Sequence, residues 1–397
     1  MNEADKGQVI LILNAGSSSI KFALFDAAAT PLSRIPLWRG KVDGITGPKP
    51  LISEDGGGDQ PLPLDASQPY HDALEHIRDR VRQQLAGRTL RAIGHRVVHG
   101  GIKYSQPVLI DAQVLEDLKS YIPLAPLHQP FALEAIEILL QTRPELPQVV
   151  CFDTGFHHTL PDVEKILPLP WAAWENGLRR YGFHGLSYGY QSIALRERYA
   201  ERATGRTLVA HLGSGASLCA MRDLKSVATT MGFSALDGLM MGTRSGAMDP
   251  GAVIFLMEIW KLSLEKVSHI LYHESGLLGV SGISSDPREL LEVEADEPRA
   301  AMALALYMRR FLHEAGALVA TLGGLDMLVF TAGVGEHNAT IRSRMCAGLQ
   351  YLGIELDEAA NQANAAVISS PTSRVTVVVE PTNEEWVCAQ DAWHLTR

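Results

Sequence analysis

Residues 9–26 and 207–223 each read as an apolar strand, a turn of small residues and a second apolar strand, and this pairing constrains the fold more than anything else in the chain. In the first copy the strands are 9–14 and 19–26, joined by Ala15-Gly16-Ser17-Ser18. In the second they are 207–212 and 216–223, joined by Gly213-Ser214-Gly215. Laid over each other without gaps, Gly16 to Asp26 and Gly213 to Asp223 agree at four of eleven positions. Each copy heads one half of the chain, so we read an ancient duplication; two unrelated hairpins are the alternative. At 397 residues the chain exceeds one ordinary core and suits two domains.

Behind the first hairpin come an amphipathic helix with Leu74, Ile77, Val81 and Leu85 on one face, a strand at 92–98, a helix at 131–140 and a strand at 149–153. The second half offers helices within 252–275 and a long one at 298–321, stopped by Gly323-Gly324. Strands at 327–331 and 375–380 and a helix from about 383 close the chain. Strands alternating with helices, but headed by hairpins, predict an α/β fold of mixed sheets covered by helices. Residues 44–70, rich in Gly, Pro and Asp, read as an exposed loop.

Composition narrows the partners. The formal net charge is −10 and no Lys/Arg cluster stands out, which argues against nucleic acid. Anionic substrates would need a few local cations against that background. No apolar run approaches the roughly 20 residues of a membrane span, and residues 9–13 are too short for a signal peptide, so no membrane partner and a cytoplasmic location are expected. Cysteines at 151, 219, 346 and 388 form no C-x-x-C pair and suggest neither zinc nor a disulfide framework.

The chemistry concentrates in glycine-rich turns. Asn14-Ala15-Gly16-Ser17-Ser18-Ser19-Ile20-Lys21 is a small-residue turn followed by a cation, where backbone N–H groups and hydroxyls can reach phosphate oxygens. It joins two strands and lacks G-K-[ST], so it is not a P-loop. His211-Leu212-Gly213-Ser214-Gly215 is a second such turn, and Thr331-Ala332-Gly333-Val334-Gly335-Glu336 a third, between a strand and a helix. Each alone is equally an ordinary turn. Arg96 lies inside an apolar strand and Arg244 in a glycine-rich stretch; such arginines match either an anion or a structural carboxylate. His184 sits between glycines and Asp153 at a strand end. In Pro381-Thr382-Asn383-Glu384-Glu385 a capping box of Thr382 and Glu385 leaves Glu384 freer to hold Mg²⁺. Asp286, Pro287 and Glu289 read as N-cap, N1 and N3 of a helix.

The ordered set N-A-G-S-S-S-I-K, G-H-R-V-V-H-G-G, F-D-T-G-F-H, R-R-Y-G-F-H-G, M-G-T-R-S-G, T-A-G-V-G-E and P-T-N-E-E resembles the acetate and propionate kinases over residues 9–390. The resemblance implies the acetate and sugar kinase, Hsp70 and actin architecture: two duplicated actin-like (ribonuclease H-like) domains with an ATP cleft between them. On that basis we expect an N-terminal domain of 1–152 with 385–397 and a nucleotide-binding domain of 153–384. It implies transfer of the ATP γ-phosphoryl group to acetate, or to propionate, with Mg²⁺ (or Mn²⁺) and a homodimer. Asn14 and Glu384 would hold the metal; Arg96, Asp153, His184 and Arg244 would be catalytic. Ser17, Ser19, Lys21, His211, Gly213, Ser214 and Gly215 would meet the phosphates. Asp286 and Arg288 would meet the adenosine, and Gly333, Gly335 and Glu336 the far side of the nucleotide. Val98, Leu127, Phe183 and Ala235, with Arg96, would form the substrate pocket.

The chain departs from the family pattern at several points. Ser214 replaces the Asn of H-L-G-N-G, H-G-L-S-Y replaces H-G-T-S-H at Leu186 and Tyr188, and Gln129 replaces the Asn of P-L-H-N-P. Pro287 stands where a larger apolar residue is common, and Ala235 where a pocket proline is usual, which predicts a looser acyl pocket. A non-catalytic nucleotide-binding protein of this fold would need no carboxylate-binding arginines, and a sugar kinase would want an Asp base in a polar pocket.

Overall fold

The computed structural model describes residues 7–16, 18–126 and 128–397. Ser17 and Leu127, both expected at the site, lie outside the described residues. The chain divides into two compact units, Met1–Phe156 with Asn383–Arg397, and His157–Thr382. Among the described residues no helix is long and apolar enough to cross a membrane.

The first unit holds strands β1 (Gln8–Ala15), β2 (Ser19–Asp26), β3 (Trp38–Asp43), β4 (Leu51–Glu54), β5 (Gln60–Pro61), β6 (Thr89–Val97), β7 (Val108–Leu109) and β8 (Gln148–Phe152), in sheet order 5-4-3-2-1-6-8-7. The segment expected to be an exposed loop at 44–70 supplies β4 and β5 and buries Ile45, Ile52 and Leu62. Its glycines and prolines hid three well-spaced apolar residues that extend the sheet edge. On one face Val9, Leu11 and Leu13 pack with Phe22, Leu24, Ile77 and Val81. On the other, Gly94 makes room for the C-terminal helix, Glu384–Leu395: a Cβ there would lie 2.6 Å from Ile12 Cδ1 and 3.4 Å from the Cys388 carbonyl. Side chains alternate along a strand, so Arg96 faces the same way as Gly94, toward the start of that helix.

The second unit holds β9 (Arg206–Leu212), β10 (Ala216–Arg222), β11 (Lys225–Thr229), β12 (Met327–Thr331) and β13 (Thr376–Val379), in order 11-10-9-12-13. Each unit has an antiparallel meander, β1 to β5 in the first and β9 to β11 in the second, and two more strands that run parallel to its first strand. With the short strands β4, β5 and β7 left out and the others renumbered within each unit, both sheets have the order 3-2-1-4-5. The hairpin similarity is thus one corner of a duplicated sheet, the actin-like arrangement. The long helix Pro298–Leu322 ends at Gly323, whose φ of 72° is the left-handed conformation glycine adopts at a C-cap.

Candidate active site

Parallel strands end side by side, and their ends gather the polar residues. In the first unit Leu13 pairs with His95 and Arg96 with Cys151, so Asn14, Arg96 and Asp153 occupy the ends of three adjacent strands. Arg96 Nε lies 3.0 Å from each Asp153 oxygen and Nη2 lies 2.8 Å from Oδ2, while Nη1 donates to Glu384 Oε2 at 2.5 Å. The structural carboxylate pairing that the sequence left open for Arg96 is therefore made. One N–H on each Nη is not used in these bonds. Burial opposes the Arg96 charge, but Asp153 and Glu384 outweigh it and hold the guanidinium above its ordinary pKa. Burial pushes the Asp153 carboxyl up while Arg96 pulls against it. Val98 is half-buried just beyond, Ser19 is half-buried and Lys21 is exposed on β2 opposite Asn14.

Glu384 opens its helix, but the cap is not the expected one. Asn383 is the N-cap, its Oδ1 accepting from the Trp386 N–H at 3.1 Å. Thr382 is occupied elsewhere, its hydroxyl donating to Ser187 Oγ at 2.9 Å and its N–H to Glu336 Oε1 at 3.1 Å. A side chain three residues before its target suits Asn383 to Trp386 as well as Thr382 to Glu385, and the sequence alone does not separate them.

In the second unit His211 and Thr331 are register partners at the ends of β9 and β12. The turn after β9 closes through the Gly213 N–H donating to the Gly215 carbonyl at 3.1 Å, and Ser214 is exposed at its tip. A Cβ on Gly215 would lie 3.1 Å from His184 Nε2 and 3.7 Å from Arg244 Nη1. Three residues singled out separately in the sequence thus converge on one point. His184 adopts the left-handed conformation at φ 79°, and Ala332, heading the third turn, does so at 65°. Non-glycine residues there carry strain of about 1–3 kcal/mol, which clusters at functional positions. The preceding Gly182 has no alternative, since a Cβ would lie 2.5 Å from the His157 ring.

Arg244 contrasts with Arg96. Among the described residues it forms no ion pair, and Nη1 alone is engaged, with the Ala235 carbonyl at 2.9 Å and Met241 Sδ at 3.7 Å. Burial depresses its pKa below the ordinary value. A desolvated guanidinium fork with no carboxylate among the described residues has N–H groups with which it can meet an anion. Phe183 is buried and Ala235 half-buried.

The remaining expected residues are placed as follows. Asp286 caps the helix Pro287–Val293 by accepting from the Arg288 N–H at 2.8 Å, and also pairs with the exposed Arg288 side chain at 2.5 Å. Glu336 Oε1 accepts from the Ala332 N–H at 2.7 Å, pinning the third turn. A Cβ on Gly333 would meet open space, whereas Gly335 packs against β9 and β12. The sequence reading missed Ser187 and Ser217, whose hydroxyls sit on His211 and His184; strand alternation after Gly215 was the available signal for Ser217.

Residues 9–390 match the profile of the acetokinase family. The chain belongs to that family. Its relatives include acetate kinases of Rhodopseudomonas palustris, 46% identical with 98% of both chains covered, and of Rhizobium meliloti, 46% identical with 96% of both covered. Among solved structures, the acetate kinase of Porphyromonas gingivalis superposes with a TM-score of 0.88 at 36% identity, covering 98% of this chain and 100% of that one. A propionate kinase from Francisella tularensis gives 0.90 at 36% identity, covering 98% and 99%. Family membership makes the chain a kinase and accounts for the duplicated sheets.

Proposed function

We propose that the chain transfers the γ-phosphoryl group of ATP to the carboxylate of acetate, and to slightly longer acids, by direct in-line displacement. The observation that carries this is Arg244, a desolvated guanidinium with no carboxylate partner among the described residues, beside His184 and a glycine turn. Two unit charges about 4 Å apart repel by roughly 4 kcal/mol at an effective dielectric near 20. Uncorrected, that costs about a thousandfold in rate. A carboxylate is already a nucleophile, so no general base is required. Positioning and charge compensation must do the work. Arg244 and Arg96 supply positive charge to the two anions, His184 donates to the transferring group, and Asp153 orients Arg96. Ser19, Lys21, Gly213, Ser214 and Gly215 line the phosphates, and Val98, Phe183 and Ala235 the acyl tail.

Mg²⁺ fits this chemistry. Asp153 and Glu384 bring two carboxylates to one guanidinium, leaving that cluster an excess acid, and Mg²⁺ takes one or two carboxylates together with phosphate oxygens. Asn14 and Glu384 would hold it, and when bound it neutralises phosphate charge.

A hydroxamate assay with ATP, Mg²⁺ and C2 to C4 acids tests the reading. We expect acyl phosphate from acetate, with kcat/KM for propionate within about tenfold, since one methylene is worth only about 1–3 kcal/mol. No product from any acid would refute the kinase assignment; strict acetate preference would refute the loosened pocket at Ala235.

We also propose a homodimer in the cytoplasm. Helices Pro250–Glu258 and Leu264–His273 leave Ile254, Phe255, Ile259, Trp260 and Leu264 exposed on a neighbouring stretch of surface, the kind of patch that self-association covers. The four cysteines are buried and free, as a reducing compartment keeps them. Sedimentation velocity should give a dimer that Trp260→Asp converts to monomer; a wild-type monomer at micromolar concentration would exclude this interface.

A further inference from the structure

The helix Gly185–Tyr199 begins with the segment where the chain departs from the family motif, and Tyr188 stands there in place of the usual histidine. It lies one turn after His184, its N–H donating to the His184 carbonyl at 3.1 Å, and is wholly buried. Its Oη is 2.6 Å from Ser217 Oγ, which is 2.8 Å from His184 Nδ1. Burial raises the phenol pKa well above its ordinary value and keeps it protonated. Of the two oxygens the phenol's, its lone pair delocalised into the ring, is the poorer acceptor, so Tyr188 is the better placed to donate. When Tyr188 donates to Ser217, the serine hydrogen is directed at Nδ1. That nitrogen then accepts, and the ring proton resides on Nε2, the atom beside Gly215.

The adjacent histidine is wired alike. Thr382 Oγ1 donates to Ser187 Oγ at 2.9 Å, and Ser187 Oγ lies 2.9 Å from His211 Nδ1. The two imidazoles stack with centroids 4.2 Å apart and planes 20° from parallel, an arrangement that two charged rings would oppose. A hydroxyl pair thus stands behind Nδ1 of each ring, and the stacking opposes charge on both at once.

We propose that Tyr188 is a positioning residue that, through Ser217, fixes His184 as the neutral Nε2–H tautomer and so aims a donor at the glycine turn. This rests on the reading of His184 as the donor to the transferring phosphoryl group. Serine alone does not select the tautomer, because its hydroxyl donates to a bare Nδ1 or accepts from a protonated one with equal ease.

Two-bond ¹H–¹⁵N correlation on histidine-labelled protein, without substrate, reads the tautomer directly. Wild type should show a bare Nδ1 and protonated Nε2 at His184, and Tyr188→Phe a mixture of both forms. The same variant should lose about tenfold in kcat with KM for ATP and acid within twofold, since the hydroxyl is buried against Ser217. Protonated Nδ1 in wild type, or an unchanged spectrum in Tyr188→Phe, overturns the proposal. Should Tyr188→Phe lose its fold, Ser217→Ala carries the same spectroscopic expectation. A His184→Asn enzyme of normal kcat would instead defeat the reading of His184 and leave the tautomer result standing.

Discussion

Arg244→Ala should lower kcat about a thousandfold while leaving Tm unchanged or raised. Under the proposed reaction the loss follows from removing a desolvated donor to the transferring charge, which mutagenesis of comparable groups values at about 10²–10³ or more. The stability result follows from the same isolation. Arg244 is part-buried and, among the described residues, bonds to one carbonyl and one thioether, so its charge is held at a cost that alanine removes. A stabilised, inactive protein is the signature of a group placed for function at the fold's expense. Arg244→Lys should recover little, because an ammonium lacks the planar fork. Steady-state kinetics beside a thermal melt decide it: near wild-type turnover, or a melt lowered by several degrees, contradicts this account of Arg244.

Much of this was legible in the chain. The alternation of strand and helix, the glycine stop after Leu322 and the paired hairpins all follow local rules of periodicity and turn chemistry, and the structure follows them. What stayed hidden depends on partners distant in sequence. Whether Arg96 meets an anion or a carboxylate turns on Asp153, on a neighbouring strand, and on Glu384, almost three hundred residues away. The cap of the last helix turned on Ser187 drawing Thr382 away, and the sheet edge at β4 and β5 on three apolar residues that glycine and proline obscured. The left-handed φ of His184 was equally invisible, because histidine gives no warning of it as glycine does.

Arg96→Ala should also abolish turnover, by about a thousandfold or more, yet with the opposite effect on the fold. Asp153 is 3% exposed and spends both oxygens on Arg96, and Glu384 receives the remaining arm of the fork. Removing one partner of a buried pair leaves an uncompensated charge and typically costs about 3–5 kcal/mol. Arg96→Ala should therefore melt well below wild type, and Asp153→Asn on that background should recover most of the loss by removing the stranded carboxylate. Activity should not return with stability, because the guanidinium proposed to meet the substrates is still missing. Two arginines alike in the sequence are thus separated by a melt: one strains the fold it serves, the other is bound into it. Equal Tm values for the two alanine variants would contradict the assignment of Arg96 as the paired one.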